Sequence, residues 1–260
     1  MRPTTTATRL ATAVVAALTL AGCSTSASTT DSTPVTSGEQ TTVPSVPVTA
    51  TGTDTTTTGA TGATGAKSEF VAEVWADNWF SLYVNGKLVG QDSVPITTER
   101  SFNSETISFT ATYPLTIAMV TKDFKQDDSG LEYIGTDRQQ MGDGGFIAQI
   151  TDRASGRVIA RTGTDWKGLV IHRAPLDDSC EKSASPATDC ASKIVAEPSG
   201  WTSAGFDDAT WAPATTYSGE EVGVKEGYND ISWDPSAELI WTASLKLDNT
   251  ILWRHTVPSG

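Results

Sequence analysis

The sequence predicts an all-β protein, an antiparallel β-sandwich of jelly-roll type with long loops. Three observations carry that expectation. Apolar Phe80, Leu82 and Val84 alternate with Ser81 and Tyr83, the period of a strand with one buried face. Short apolar runs separated by Gly, Pro, Asn and Asp recur down the chain. No long stretch carries the stripe of an amphipathic helix, so helices should be few and short.

The clearest element is Asp77 to Gly90, D-N-W-F-S-L-Y-V-N-G-K-L-V-G. Asn85-Gly86 fills a two-residue hairpin turn, because both residues tolerate positive φ, and Leu88-Val89 opens the return strand. Thr106–Ala111 alternates until Tyr113-Pro114 breaks it, and Leu115–Val120 is apolar enough for a buried strand. Phe146–Ile150, Val158–Ala160, Leu169–Ile171, Leu239–Trp241 and Ile251–Val257 continue the series. Residues 173–236 differ, being rich in Pro, Ser, Asp and Gly. They read as a long loop laid over a sheet, with Trp201, Phe206, Trp211, Tyr217, Tyr228 and Trp233 as pegs.

Residues 1–22 read as an export signal outside the fold. Arg2 and Arg9 supply the positive start, and Leu10 to Leu20 is an apolar run too short to span a bilayer. The segment ends Leu20-Ala21-Gly22-Cys23, which resembles a bacterial lipobox and implies a lipid-bearing Cys23 (diacylglyceryl and palmitate-type chains) on the extracellular face of the cell membrane. Residues 23–66 hold sixteen threonines and no aromatic residue, and end in a T-G-A repeat. Such a segment buries too little apolar surface to offset its ordering entropy, so it is expected to be a disordered tether.

Every Trp, Tyr and Phe lies from Phe70 onward, which makes residues 67–260 a single head domain. Three of the 31 acidic residues and two of the 18 basic ones precede Lys67, leaving 28 against 16, a net charge of −12. That surface repels phosphate backbones and excludes nucleic acid as a partner. With Cys23 lipidated, Cys180 and Cys190 remain in an exported chain, and their spacing suits a disulfide that staples a surface loop, worth about 2–3 kcal/mol.

For chemistry, oxygen ligands are the strongest resource. Asp77, Asn78, Asp123 and Asp143 fall at the ends of predicted strands, and M-G-D-G-G at Met141–Gly145 lets carbonyls turn inward, so a structural Ca2+ is the cofactor the residues suit. Asp and Asn are also ordinary turn residues, the plainer reading. For sugar contact, Trp79 beside Asp77-Asn78, Trp166 in T-D-W-K, and Arg138 and Gln140 offer aromatic faces and hydrogen-bonding groups. Trp75, Trp241 and Trp253 lie in strand-like runs and belong to the core. His172 and His255 read as structural strand residues. No nucleophile elbow, zinc helix or phosphate loop is present, and a hydrolase here would have to work with a pair of carboxylates.

Three stretches together resemble a known family. A-D-N-W-F-S-L-Y-V-N-G-K-L-V-G (Ala76–Gly90), G-F-D-D-A-T-W-A-P-A (Gly205–Ala214), and L-I-W (Leu239–Trp241) with D-N-T-I-L-W-R-H-T-V (Asp248–Val257) are similar to segments of the galactose-binding-like β-sandwich domains attached to rhamnosidase-type glycoside hydrolases. In those domains the last segment normally precedes the hairpin, whereas here it closes the chain. The central runs, such as R-Q-Q-M-G-D-G-G-F-I-A-Q-I (Arg138–Ile150), resemble an uncharacterised family of secreted proteins. The resemblance implies a sandwich and a non-catalytic module that recognises glycan or another envelope component. The alternatives are a glycan hydrolase and a structural, protein-binding lipoprotein.

Overall fold

The computed structural model describes residues 65–101 and 103–258; the expected export signal, Cys23 and most of the expected tether lie outside the described residues. Strand accounts for 42% of the described residues and helix for 8%, and antiparallel sheets pack face to face as an all-β sandwich. In chain order the strands are β1 (Ser68–Asp77), β2 (Trp79–Val84), β3 (Lys87–Gln91), β4 (Ser104–Ala111) and β5 (Leu115–Lys122). Then follow β6 (Leu131–Glu132), β7 (Gln140–Met141), β8 (Gly145–Asp152), β9 (Arg157–Arg161) and β10 (Lys167–Arg173). The last are β11 (Lys193–Ile194), β12 (Ala212–Pro213), β13 (Thr215–Tyr217), β14 (Leu239–Trp241) and β15 (Asp248–Val257). The α-helices are single turns, α1 (Pro186–Asp189) and α2 (Gly219–Val222).

One sheet runs β13-β14-β8-β1-β4, with β9 also on β8; the other runs β11-β10-β15-β5-β2-β3, with β12 also on β10. The expected hairpin joins β2 and β3, with Asn85 at φ 51° and Gly86 at φ 80°. Alternation decides what faces inward: Phe70, Ala72, Val74 and Ala76 of β1 pack against Phe80, Leu82 and Val84 of β2 across the core. In β1, two of those inward positions are alanine, which weakens the apolar signal; the strand is central nonetheless.

The apolar run of β5 is explained by a second layer. Leu115, Ile117 and Met119 face the core, while Ala118 and Val120 face outward against Trp201 and Trp211 of the long loop. A later part of that loop covers the other sheet, where Trp75, Ile147 and Leu239 meet Val222, Val224, Tyr228 and Trp233. Both outer faces are therefore clothed by residues 173–236, which also supply short edge strands. Cys180 and Cys190 bridge with Cα atoms 5.6 Å apart.

Candidate metal centre

Antiparallel register assembles the site. The end of β1 lies opposite the start of β8, Asp77 against Gly145. The end of β5 lies opposite the start of β2, Lys122 against Trp79. The chain crosses between the sheets at Asp77-Asn78, so Asp77, Asp123 just past β5 and Asp143 just before β8 converge at one end of the sandwich. The β6–β7 hairpin closes over that end and adds Glu132, which stands opposite Gln140.

Asp123, Glu132 and Asp143 each present an oxygen, all three within 4.8 Å of one another. Lys225, from the loop after α2, reaches in from the side. Its Nζ lies 2.7 Å from Asp77 Oδ2 and 3.0 Å from Asp143 Oδ2. Asp77 and Asp123 are almost fully buried, yet Asp77 Oδ1 and both oxygens of Asp123 have no hydrogen-bond donor. A buried carboxylate without donors is costly unless it is protonated or ligates a cation.

The electrostatics follow from that crowding. Burial, then repulsion by Asp143, pushes the Asp77 carboxyl up to about 7 against the pull of Lys225. Burial and the nearby Asp143 and Asp77 raise Glu132 to about 7, although Gln140 opposes them. Asp123 is driven well above the carboxylate range by burial first, then by Glu132, Asp77 and Asp143. Burial works against the charge on Lys225, but Asp77 and Asp143 hold it above the usual lysine range. When ionised, four acids around one ammonium carry an excess of negative charge that a hard divalent cation would balance.

Outside the acids, Glu99, Arg100, Tyr133 and Gln140 line a cleft of about 300 Å3 that opens over Glu132 and Asp143. Gly142 makes close approach to the acids feasible: a Cβ there would sit 1.7 Å from Asp123 Oδ2. Gly142→Ala should therefore push the Asp123 carboxylate aside and weaken Ca2+ binding at least tenfold, as read by calorimetric titration. Wild-type affinity in that variant would show that Asp123 is no ligand.

The anticipated residues divide. Asp77, Asp123 and Asp143 meet at the site. Asn78 commits its carboxamide to the backbone, accepting from Phe124 N at 2.5 Å and donating to Glu99 O at 3.0 Å, so it clamps loops beside the acids rather than offering an ion its oxygen. Gln140 stands at the cleft and donates to Glu132 Oε2 at 2.9 Å. Arg138 is exposed and lies 4.1 Å from the ring centre of Tyr133 on the cleft wall. Trp79 is half-buried in the outer cluster on the second sheet, with Lys122 Nζ 4.8 Å from its ring.

Trp166 corrects an expectation. It is only 1% exposed, donates its indole N–H to Arg161 O at 2.8 Å, and stacks on His255 with ring centres 5.3 Å apart. No open face is left for a sugar. His172 is likewise buried, with Nδ1 2.9 Å from Asn249 Oδ1.

Glu132 and Lys225 were not singled out in the sequence. The flanking turn residues D-S-G before Leu131 and G-D-G-G after Met141 could have marked a hairpin carrying Glu132 inward. For Lys225, 148 positions from Asp77, no local signal exists.

Fold and site together define a β-sandwich with a largely buried cluster of acids at one end of its two sheets. No family model, curated protein or solved structure matches the chain.

Proposed function

We propose that the head is a divalent-cation-dependent recognition module for polyhydroxylated ligands, envelope or environmental carbohydrate foremost. In this reading it is of the galactose-binding-like kind and is held on the outer face of the cell membrane by a lipid on Cys23 and the Thr-rich tether. The observation that carries the reading is Asp123, a buried carboxylate with both oxygens lacking donors and with Glu132 and Asp143 oxygens within 4.8 Å. Carboxylates and carbonyls on loops are the ligands Ca2+ prefers. Asp77 Oδ1, Asp123, Glu132 and Asp143 would hold it. A cation there would lie at the base of the cleft, where ligand hydroxyls could replace its water, while Gln140, Arg100 and Tyr133 supply hydrogen bonds around it.

One observation favours a second reading. Glu132 and Asp143 are close enough for an acid and nucleophile pair, and a Glu132 carboxyl raised to about 7 suits a general acid. A hydrolase, however, gives no role to the donorless Asp123. Calorimetric titration with CaCl2 separates the two, followed by a glycan array probed with and without chelator. Saturable CaCl2 binding that Asp123→Asn weakens at least tenfold, with chelator-sensitive array binding, is expected. No CaCl2 binding, together with glycan turnover abolished by Glu132→Gln, would overturn the cation reading in favour of the enzyme.

A further inference from the structure

We infer that Lys225 is a built-in placeholder cation, which keeps the head folded before the divalent ion arrives and detunes the site so that it loads only at high free cation concentration. The inference rests on the cation reading above. It starts from the way the ammonium is fixed. Lys225 is held on both sides, 2.7 Å from Asp77 Oδ2 and 3.0 Å from Asp143 Oδ2. Its loop is pinned as well. A capping box closes the start of α2, Ser218 accepting from Glu221 N while the Glu221 carboxylate accepts from Ser218 N. The Trp75 indole N–H donates to Glu226 O at 3.0 Å, and the Tyr228 ring meets Trp75 edge-on at 5.5 Å. Gly227 has φ +85° and lies so close to the Asn103-Ser104 backbone that a Cβ would come within 2.7 Å of Ser104 N. The ammonium is thus a fixture of the fold.

That placement divides the oxygens. Lys225 occupies Asp77 Oδ2 and Asp143 Oδ2. Asp77 Oδ1 and both Asp123 oxygens are left without donors, and Glu132 lines the cleft beside Lys225. Without Lys225, four acids would face one another at the junction of the two sheets, and the ion-free head would carry their repulsion. With it, part of that repulsion is cancelled in advance. An incoming divalent ion must then bind a few ångströms from a fixed positive charge, and like charges at that range in a partly buried site repel strongly. The same residue therefore stabilises the ion-free fold and lowers the affinity of the loaded one. Sites tuned to about 10⁻⁴–10⁻³ M suit extracellular modules, which load where Ca2+ is abundant and stay unloaded inside the cell.

The test is Lys225→Met, with Lys225→Arg as the charge-keeping control. Both are titrated with CaCl2 by calorimetry and melted in EDTA and in saturating CaCl2. Lys225→Met should bind CaCl2 at least tenfold more tightly than wild type, melt lower than wild type in EDTA, and regain the difference in CaCl2. Lys225→Arg should stay within a few-fold of wild type. If wild type binds CaCl2 but Lys225→Met binds equally or more weakly, the placeholder idea falls while the cation site stands. If Lys225→Met fails to fold even in saturating CaCl2, it also falls, because the ion should be able to take over the charge balance. If neither protein binds CaCl2, the cation reading itself is lost.

Discussion

Replacing Arg254 by methionine is expected to destabilise the head by about 1–3 kcal/mol, the cost of taking a buried donor from its acceptors. Arg254 lies on β15, only 3% exposed, on the face covered by the loop at 201–211. Its Nε donates to Asp208 Oδ2 at 2.8 Å, and one terminal nitrogen donates to Trp201 O and, at 3.1 Å, to Ser203 O. The planar guanidinium also lies 5.2 Å from the Phe206 ring. Methionine would fill much of the volume but take the arginine donor from Trp201 O, leave Ser203 O with Phe206 N at 3.2 Å, and leave Asp208 with Lys167 alone, 3.0 Å away. Burial opposes ionisation of Asp208, yet the bonds from Arg254 and Lys167 outweigh it and keep the carboxyl below its ordinary range. The loss should appear as a lower urea midpoint, with Trp201 and Trp211 fluorescence changing first. Lysine at 254 keeps charge but cannot reach several acceptors in one plane, so it should recover only part of the loss. An unchanged midpoint in the methionine variant would mean that Trp packing alone holds the loop.

Arg254 also shows where sequence reading stops. W-R-H-T within Ile251–Val257 identifies a strand, because strand signals are local and periodic. That its arginine would be sealed beneath a loop some fifty residues earlier depends on the path of a segment with no period at all. The same boundary runs through the acid site. Asp77, Asp123 and Asp143 were legible because each sits where a strand gives way to a turn, and antiparallel register brings strand ends together. Glu132 depends on the pairing of a hairpin of two-residue strands, and Lys225 on a loop far along the chain. Trp166 misled for a related reason. T-D-W-K has turn composition, but the turn from Gly163, closed by Trp166 N to Gly163 O at 3.2 Å, carries the indole inward against Phe146. Composition identifies a turn; it does not say which side of the turn faces the core.

Chelated protein is expected to lose stability as pH rises from about 6.5 to 8, and CaCl2 to reverse that loss. The sign follows from proton counting. Asp77 is raised from 3.8 to about 7 and Glu132 from 4.5 to about 7, each by burial first, and Asp123 is raised further in the same direction. The folded head therefore holds protons that the unfolded chain has already released, and stability falls as pH climbs from the unfolded carboxylate range to the folded values, levelling off for each acid above its folded value. Asp92, raised to about 6 chiefly by burial, acts in the same direction lower in the range. His172 and His255 are both held below their ordinary range by burial, so they add stability as pH rises, an effect complete once the unfolded histidines have lost their protons near about 6.5. Lys225, raised by Asp77 and Asp143 against the effect of burial, keeps its charge throughout and loses its contribution only at strongly alkaline pH. Above about 6.5 the acids are left to dominate, and one proton held by the folded head but not by the unfolded chain across that whole interval is worth about 2 kcal/mol. A bound cation requires ionised ligands, so its stabilisation grows with pH over the same interval. Melting curves at a series of pH values, in EDTA and in millimolar CaCl2, should therefore diverge toward pH 8. Asp123→Asn should flatten the EDTA curve and close the gap. An EDTA curve that rises from pH 6.5 to 8 in the wild-type protein would mean that the cluster carries no shared protons, and its crowding would then need another explanation.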